Sequence, residues 1–499
     1  MKATPASHEN GTPLSEWREV LGVLRIYWAL LLGNILEWYE YAVFSFLEPH
    51  FQSNFFHGSA VSTWLGFAVT FVARPFGGVV LGLVGDIFGR KVSTFLSVFG
   101  MMVGTVGQGL LPTYHNGEVA GTIGLILLVF LRLIQGICTG GEIASVTTYI
   151  TEVGSKRSLC RSMMLVGITC NIGFLLAQSA TYGIELLGEE RMKEWGWRIP
   201  FLAALVPGVI ATAGRRCMPE SQDFLDARAR DFPATLGTPE IVPTASEGGS
   251  SESQSDTRKT PQVREVGSKL SQLIRHQWPA LLSGIGVVVA VSVLQYGGLI
   301  WCSLLLQKKG TDSAILLAAG ITARISSILL VPAVAWLADV QGIAWTTFLG
   351  SSMLTLLGMP LFKSMVTNPD SVEAVVGSYG VGFGFMFAFV GMVFFVYVCE
   401  LFPVDVRNAG VGLSYNIGFC CFGGFAPMVF EAAFEHYSWA PGWLLSLAGL
   451  TTTLTILISL LFQRRGKMQL THIRAEPYFS PCGVRKKEVV QQKANEFGI

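Results

Sequence analysis

Four charged residues lie within long apolar stretches of this chain, namely Glu37, Arg74, Arg132 and Arg324. If these stretches are membrane helices, each charge costs several kcal/mol unless it is paired or faces water, so each is a candidate functional group. A rise of ~1.5 Å per residue places each charge roughly 17–20 Å into its helix, near the bilayer midplane. Four segments with a charge at the same depth predict a shared central binding site.

Arginine is suited to binding a carboxylate, because its planar guanidinium donates two parallel hydrogen bonds. Arg74 is followed by Pro75, which frees a backbone carbonyl, and then by paired glycines that permit close helix approach. We therefore predict that the carboxylate of a substrate binds beside Arg74. The alternative is that Arg74 pairs with Glu37 or Glu40 and only holds helices together.

The composition is that of an integral membrane protein. Hydrophobic residues make up 51% of the 499 residues and charged residues only 14%, which is typical of a chain whose surface faces lipid. Windows of about 20 apolar residues, the length that crosses a bilayer, predict twelve transmembrane helices and hence an all-α protein with two six-helix bundles. The predicted helices cover residues 26–48, 61–84, 92–111, 121–149, 162–187, 199–215, 279–306, 313–338, 343–365, 374–401, 409–433 and 440–462.

These helices divide the chain into five parts. They are an N-terminal tail (1–25), a first bundle (26–217), a linker (218–277), a second bundle (278–463) and a basic C-terminal tail (464–499). The linker is rich in serine and glutamate, which predicts a largely disordered segment. Lysine and arginine are concentrated on one side of the predicted topology, so we expect the linker and both termini in the cytoplasm of a multi-pass plasma-membrane protein.

Several motifs resemble those of known transporters. The run from Gly82 to Lys91, GLVGDIFGRK, resembles the loop between helices 2 and 3 of the major facilitator superfamily. The run from Gly33 to Tyr41, GNILEWYEY, resembles the helix 1 signature of one family within this superfamily, the metabolite:proton symporters. The stretches from Trp195 to Phe201 and from Glu400 to Pro403 also resemble this family. This resemblance implies the major facilitator fold and proton symport of carboxylate-bearing metabolites such as 2-oxoglutarate, citrate, shikimate, proline or betaine.

The resemblance also implies the proton-coupling residues. Arg132 begins a run to Glu142 that resembles the helix 4 signature of the superfamily, and in proton-coupled relatives this arginine pairs with an acid of helix 1. We predict that Glu37 takes up the proton, that Arg132 engages and releases it, and that Glu40, where the family usually has aspartate, belongs to the same group. Desolvation and a nearby guanidinium act oppositely on a carboxylate, so a pairing that changes between states changes proton binding.

Further substrate contacts are expected from both bundles. Arg324 is not known as a family feature, and it either supplies a second carboxylate contact or pairs with an acid. Tyr41 is positioned to line the cavity and to contact an ammonium group through its ring. Gln295 and Tyr296 fall in the middle of the seventh predicted helix and Asn416 falls in the eleventh, so these three are candidate ligands from the second bundle.

Charged residues near the predicted cytoplasmic surface suggest a gate. The candidate gating residues are Asp86, Arg90, Glu142, Glu152 and Arg157. Opposite charges in these positions either join helices 2, 3 and 4 in an outward-open state or form rim salt bridges without effect. The run from Gly82 to Lys91 is a candidate latch, because its acid and bases can pair when this face closes. Its counterpart in the second half, Ala338 to Gly342, keeps an aspartate but lacks the basic pair, so we expect this second latch to be degenerate.

Other classes of membrane protein lack supporting motifs in the sequence. The cysteines have no spacing typical of a disulfide framework or a zinc site, and no histidine lies in the middle of a predicted span to ligate haem or copper. A phosphate-binding loop of the type GxxxxGK[ST] is also missing from the sequence. We therefore expect a protein that is not an enzyme, has no cofactor and is driven by a proton gradient.

The count of charges sets an expectation for the substrate. Two midplane arginines, Arg74 and Arg324, favour a di- or tricarboxylate such as 2-oxoglutarate or citrate, because they repel an ammonium group. If Glu37 or Glu40 neutralises one of them, proline or betaine becomes equally acceptable. A receptor that binds a metabolite without moving it is the alternative from another class, and the candidate pair of Glu37 and Arg132 favours transport. We expect a monomer in the lipid bilayer with no nucleic-acid partner.

Overall fold

The structure is helical throughout the part of the chain that it describes. This computed structural model describes residues 13–88, 90–153, 158–186, 188–217, 273–403 and 406–470. Ten helical stretches within these residues are long and apolar enough to cross a membrane. The first and third predicted spans are also helical, but they are more polar, since the first carries Asn34, Glu37 and Glu40. The all-α prediction is therefore confirmed, while the tails and most of the predicted linker lie outside the described residues.

The helices follow the predicted order. The first half contains α1 (Pro13–Phe46), α2 (Glu48–Phe55), α3 (Ala60–Phe88), α4 (Arg90–Gln108), α5 (Glu118–Gly140), α6 (Glu142–Val153), α7 (Leu159–Glu185), α8 (Glu189–Glu194), α9 (Ile199–Ala203) and α10 (Leu205–Arg216). The second half contains α11 (Trp278–Val293), α12 (Cys302–Lys308), α13 (Ser313–Gln341), α14 (Ile343–Thr367), α15 (Val372–Val375), α16 (Gly384–Glu400), α17 (Arg407–Gly418), α18 (Ala426–His436) and α19 (Ala440–Arg464).

Three spans of the second half contain π-helical segments. These segments are Leu294–Trp301, Val376–Phe383 and Phe419–Gly424. A π-helical turn widens the helix locally and is frequent at functional sites. The first of these segments presents Gln295 and Tyr296, two of the predicted ligands, to the interior of the protein, where both are buried.

A buried polar contact fixes the orientation of α1. The Nδ2 atom of Asn34 donates to the Oγ1 atom of Thr169 on α7 at 2.7 Å, and the Nε1 atom of Trp38 donates to the Oδ1 atom of Asn34 at 3.1 Å. Buried polar groups are stable when they are hydrogen-bonded in this way, and the bonds are lost if the helix rotates. The contact therefore determines where Glu37 and Glu40, on the same helix, point.

Two glycines allow α3 and α5 to approach closely. A Cβ atom at Gly140 would lie 2.0 Å from the carbonyl oxygen of Arg74, and a Cβ atom at Gly77 would lie 2.0 Å from the carbonyl oxygen of Ile137. Both neighbours are backbone atoms, which cannot move aside as a side chain can. The predicted close approach beside Arg74 is confirmed, and it brings the backbone of α5 against the helix that carries this arginine.

The two bundles contact each other towards both surfaces of the membrane. We call the side of the membrane on which α1 begins the terminus side and the opposite side the loop side. Because consecutive spans alternate in direction, α7 begins on the terminus side and α13 ends there. Towards the loop side, Gln178 of α7 lies against Gly320 of α13, and α18 packs on α3. On the terminus side the contact is made by Asp339 at the end of α13. The described residues thus form an arrangement that is closed on both sides.

Asp339 binds the first turn of a helix in the other bundle. Its carboxylate accepts hydrogen bonds from the backbone N–H groups of Cys160 and Arg161 at 3.0 and 3.3 Å, and from the Nε atom of Arg161 at 3.0 Å. The prediction of a degenerate second latch is wrong, because the basic partner comes from α7 and not from the same loop. The positive end of α7 adds a favourable charge–dipole interaction.

Replacing Gly140 by alanine is expected to destabilise the fold by about 1–3 kcal/mol, the usual result of overpacking, because the new Cβ meets a backbone oxygen. The measurement is the unfolding temperature and monodispersity of purified protein in detergent. Gly183→Ala is the matched control, since a Cβ there has no neighbour within 4 Å. Equal unfolding temperatures for the two variants would contradict this account of the contact between α3 and α5.

Replacing Asp339 by asparagine is expected to open the terminus side. The loss of a charge at a helix N-terminus, about 1 kcal/mol, corresponds to about a fivefold change in the ratio of open to closed protein. The measurement is the distance distribution between spin labels on Cys217 and on Cys introduced at Gln463, which are both exposed on this side.

Asp312→Asn is the matched control for this experiment, because Asp312 caps α13 by accepting a hydrogen bond from Ala314 within its own bundle. A distance distribution that stays unchanged in Asp339→Asn would show that the contact does not hold the bundles together.

Candidate functional site

Glu37 and Arg74 form a buried ion pair. The Nη2 atom of Arg74 donates to the Oε1 atom of Glu37 at 2.9 Å, and both side chains are completely buried. This pairing was one of the two expectations for Arg74, whereas the proton-coupling prediction has Arg132 engage and release Glu37. The guanidinium carbon of Arg132 lies 3.7 Å from the ring centroid of Phe44, which is seven residues or about 10 Å further along α1. Arg132 is therefore out of register with Glu37.

Aromatic rings from both bundles surround Arg74. The distances from its guanidinium carbon to the ring centroids are 5.2 Å for Tyr41, 5.6 Å for Phe71, 5.1 Å for Tyr415 and 6.0 Å for Phe419. Tyr415 also accepts a hydrogen bond of 3.4 Å from Nη2. Ring faces attract a cation, more strongly when it is desolvated, so they stabilise Arg74 at the interface of the bundles. Its Nε and Nη1 atoms have no hydrogen-bond partner among the described residues.

Arg132 is connected to Glu40 through an amide. The Nη1 atom of Arg132 donates to the Oε1 atom of Gln135 at 3.4 Å, and the Nε2 atom of Gln135 donates to Glu40 at 3.4 Å and to Thr105 at 2.9 Å. All four side chains are buried. The acid of helix 1 that faces Arg132 is therefore Glu40. The sequence analysis missed Gln135, although its position three residues after Arg132 places both on one helix face.

Arg324 is held by amides and rings. Its Nη1 atom donates to the Oε1 atom of Gln295 at 3.1 Å and to the Oδ1 atom of Asn171 at 3.5 Å, and its guanidinium carbon lies 4.4 Å from the ring centroid of Phe174 and 5.8 Å from that of Phe387. In the described part of the chain, no carboxylate oxygen lies within 4 Å of this guanidinium. The expectation that Arg324 pairs with an acid is therefore not met among the described residues. The other expectation, a contact with a substrate carboxylate, stays a prediction.

Tyr296 packs on aromatic rings that face two of the arginines. Its ring centroid lies 5.2 Å from that of Phe71 and 5.6 Å from that of Phe67. Phe71 faces the guanidinium of Arg74, and Phe67 faces that of Arg132. The hydroxyl of Tyr296 has no hydrogen-bond partner within the described ranges. Because this residue belongs to the second bundle and two of the three arginines belong to the first, the central charges form one site between the bundles.

The other predicted ligand of the second bundle, Asn416, makes a contact between the bundles. Its Nδ2 atom donates to the carbonyl oxygen of Gly140 at 2.7 Å, while its Oδ1 atom has no partner in the part of the chain that the structure describes. Asn416 lies one residue after Tyr415, which contacts Arg74. It is therefore placed beside the central site, and its role as a substrate ligand stays a prediction.

The predicted gating residues are described only in part. Glu142 accepts hydrogen bonds from the Oγ atom of Ser97 and the Nη1 atom of Arg215, both at 2.8 Å, and its other oxygen pairs with Nη2 of Arg215. Arg215 was not predicted as a partner of Glu142, because a basic residue at the end of a transmembrane helix is ordinarily expected to face the membrane surface. The structure does not describe the side chains of Asp86, Arg90 and Glu152, nor any part of Arg157. Their gating role stays a prediction.

Comparison with known proteins identifies the class. A protein-family model described as sugar (and other) transporter matches residues 24–463, which include both bundles. The ectoine/proline transporter ProP of Corynebacterium glutamicum is 28% identical over 417 residues, covering 80% of this chain and 76% of that protein. The alpha-ketoglutarate permease of Escherichia coli is 29% identical over 462 residues, covering 88% of this chain and 94% of that protein.

The fold has solved counterparts. The structure of the major facilitator superfamily proton:xylose symporter XylE, with bound 6-bromo-6-deoxy-D-glucose, matches with a TM-score of 0.65 over 90% of this chain and 96% of XylE. The two sequences are 18% identical, so this likeness concerns the fold.

Proposed function

The chain belongs to the sugar (and other) transporter family and is a membrane transporter of the major facilitator superfamily, and we propose that it moves a small carboxylate-bearing metabolite together with a proton. The observation that carries this proposal is the ion pair of Glu37 and Arg74 together with Arg324, which has amide partners but no acid within 4 Å in the described part of the chain. Relatives named for alpha-ketoglutarate and for ectoine and proline support a carboxylate as the common feature.

Protonation of Glu37 links the proton to the substrate. While Glu37 is ionised, Arg74 is neutralised within the pair at 2.9 Å. A proton on Glu37 removes the negative charge and leaves a buried guanidinium unmatched, which costs several kcal/mol. A substrate carboxylate removes that cost by taking the place of Glu37. Proton and substrate therefore favour each other's binding, as symport requires.

A dicarboxylate fits this site best. With Glu37 protonated, Arg74 and Arg324 are two guanidiniums without an ionised acidic partner among the described residues. Each guanidinium binds one carboxylate of the substrate. The amide oxygens of Asn171 and Gln295 accept hydrogen bonds from Arg324 and hold it in position for this contact. We propose a substrate such as 2-oxoglutarate. Arg132 and Glu40, joined through Gln135, act as the neighbouring charge pair that adjusts the proton on Glu37.

A zwitterion is the second candidate substrate, and the aromatic rings around Arg74 favour it. Tyr41, Phe71, Tyr415 and Phe419 already hold one cation within 6.0 Å of their centroids, and rings of this kind also hold an ammonium group. In this alternative the single carboxylate of proline or betaine binds Arg324 alone. Glu37 then stays paired with Arg74 or turns to the ammonium.

The contacts between bundles support alternating access. The central site is closed on the terminus side by Asp339 and towards the loop side by Gln178 and Gly320. Moving the substrate requires one closure to open while the other remains. A receptor that binds without transport needs no such second closure, so the paired contacts favour a transporter over a sensor.

Uptake into liposomes tests the proposal. Purified protein is reconstituted, and the uptake of labelled 2-oxoglutarate, citrate, proline and betaine is measured with and without an inward proton gradient. Stimulated uptake of 2-oxoglutarate is expected. Stimulated uptake of proline or betaine alone would select the zwitterion, and binding without uptake of any of the four would favour the receptor.

Glu37→Gln is expected to abolish accumulation driven by the proton gradient while exchange of labelled for unlabelled substrate continues, because the amide cannot carry a proton and leaves Arg74 unmatched. Binding of 2-oxoglutarate should be retained. Glu435→Gln, an exposed acid on α18, is the control and should transport normally. Full gradient-driven accumulation by Glu37→Gln would remove this residue from the coupling step.

Arg324→Lys is expected to weaken substrate binding about 10- to 100-fold. Lysine keeps the positive charge but lacks the planar guanidinium that can donate to an amide and to a carboxylate at the same time. Hydrogen bonds to charged groups contribute about 1.5–3 kcal/mol, which corresponds to this change in Kd. Isothermal titration with the transported substrate measures the change in Kd. Arg465→Lys, at an exposed position, is the control. An unchanged Kd in Arg324→Lys would place the substrate carboxylate elsewhere.

A further inference from the structure

A second buried carboxylate lies outside the membrane-spanning helices, on the loop side. Glu48 is the first residue of α2, the short helix that follows α1, and it is completely buried. Neither of its carboxylate oxygens has a hydrogen-bond partner among the residues that the structure describes. An ionised carboxylate in such a position loses its hydration without compensation, so the neutral, protonated form is favoured there.

Charges of the other bundle act on Glu48, and the helices concerned share a neighbour, because α2 and α18 both pack on α3. These charges are Lys308, at the end of α12, and Glu431 of α18. Lys308 already donates to the Oε1 atom of Glu431 at 2.8 Å, and the Nε1 atom of Trp301 donates to the Oε2 atom at 2.6 Å. The charge of Lys308 is therefore already compensated within its own bundle, without a contribution from Glu48. Glu48 adds a second negative charge to a cluster that is already neutral.

Other charged groups lie on the elements that pack against α2. Glu37, Glu40, Arg74 and Arg132 of α1, α3 and α5 are buried at the centre of the protein. On the loop side, His50 is half-buried, and the exposed groups are His57, His115, Glu118, Glu190, Arg191, Lys193 and Glu194.

Exposed charges are screened by water and salt, and this holds for Lys308 as well, whereas Glu431 is half-buried. Lys308 and Glu431 are the charges of the other bundle that act on Glu48, and that bundle moves away when the loop side opens.

We propose that Glu48 is a proton-binding site, separate from the central one, that is formed when the two bundles close on the loop side. Closure removes water from Glu48 and brings the matched pair of Lys308 and Glu431 to it. The carboxylate takes up a proton as the loop side closes and releases it as the loop side opens. This inference rests on the alternating access of the proposed function but does not depend on the substrate.

The proton affinity of Glu48 in the closed structure supports this direction. Burial, which Glu431 reinforces and Lys308 opposes, raises the pKa of Glu48 to about 7 from an ordinary value of 4.5. A carboxyl whose pKa is higher in the closed state binds its proton there, so closure gains stability as the pH falls below about 7 and gains no more below about 4.5. Between pH 8 and pH 6 the ratio of closed to open protein should rise about tenfold.

The test measures closure directly, without substrate. Spin labels are attached to cysteines introduced at Val119 of α5 and Val372 of α15, two exposed positions on the loop sides of the two bundles. The native cysteines that are exposed or lie in the C-terminal tail (Cys217, Cys421 and Cys482) are replaced by serine. The distance distribution is then recorded from pH 8 to pH 6, and the wild-type background should show the tenfold shift towards short distances.

Two variants decide the assignment. Glu48→Gln mimics the protonated acid, so its distribution should stay in the closed form at every pH, whereas Glu118→Gln, an exposed acid on a neighbouring helix, should shift as the wild type does. A tenfold shift that persists in Glu48→Gln, or a wild type that does not shift, would overturn the proposal.

A further variant separates this site from the central one. Glu37→Gln should keep the pH-dependent shift, and a shift that is lost in Glu37→Gln but kept in Glu48→Gln would assign the proton to the central carboxylate and overturn the inference. The absence of proton-driven uptake in liposomes, which would contradict the proposed function, leaves these distances unaffected. The two proposals therefore fail independently.

Discussion

A charge that leaves water must be matched, and this constraint governs the centre of the protein. Arg74 is matched by Glu37 and by aromatic rings, Arg132 by an amide that leads to Glu40, and Arg324 by amides and rings alone. The three arginines therefore differ in how completely they are compensated. Under the proposed function, this difference determines which guanidinium gains most from a substrate carboxylate, and a proton on Glu37 increases that gain at Arg74.

The same constraint acts at both closures between the bundles. On the terminus side, Asp339 is compensated by Arg161 and by the first backbone N–H groups of α7, so these bonds stabilise the contact between the bundles. On the loop side, Glu48 is buried without such partners among the described residues, so the closed state favours the protonated acid. The two carboxylates lie at opposite ends of the molecule and differ in the hydrogen-bond donors that surround them.

The depth of the charges and the motifs were predictable from the sequence, whereas the pairing of the charges was not. Arg132 was expected to engage Glu37, because the resemblance to proton-coupled transporters implies that this arginine pairs with an acid of helix 1. The pairing depends on the rotation of α1, set by the bond from Asn34 to Thr169, and on the approach of α3 to α5 at Gly140. Both are contacts between distant segments, and the register of one helix against another is invisible in a single hydrophobic pattern.

The class of protein, the positions of the long apolar helices and the buried charges that mark candidate functional groups were readable in the amino-acid sequence, because hydrophobic length and intramembrane charge are local properties. The packing of the helices was needed to show that Asp339 meets Arg161 and that Gln135 joins Arg132 to Glu40. It was also needed to show that Glu48 has no hydrogen-bond partner among the described residues. These facts depend on which helices adjoin, and desolvation acts on a side chain only through the neighbours that replace its water.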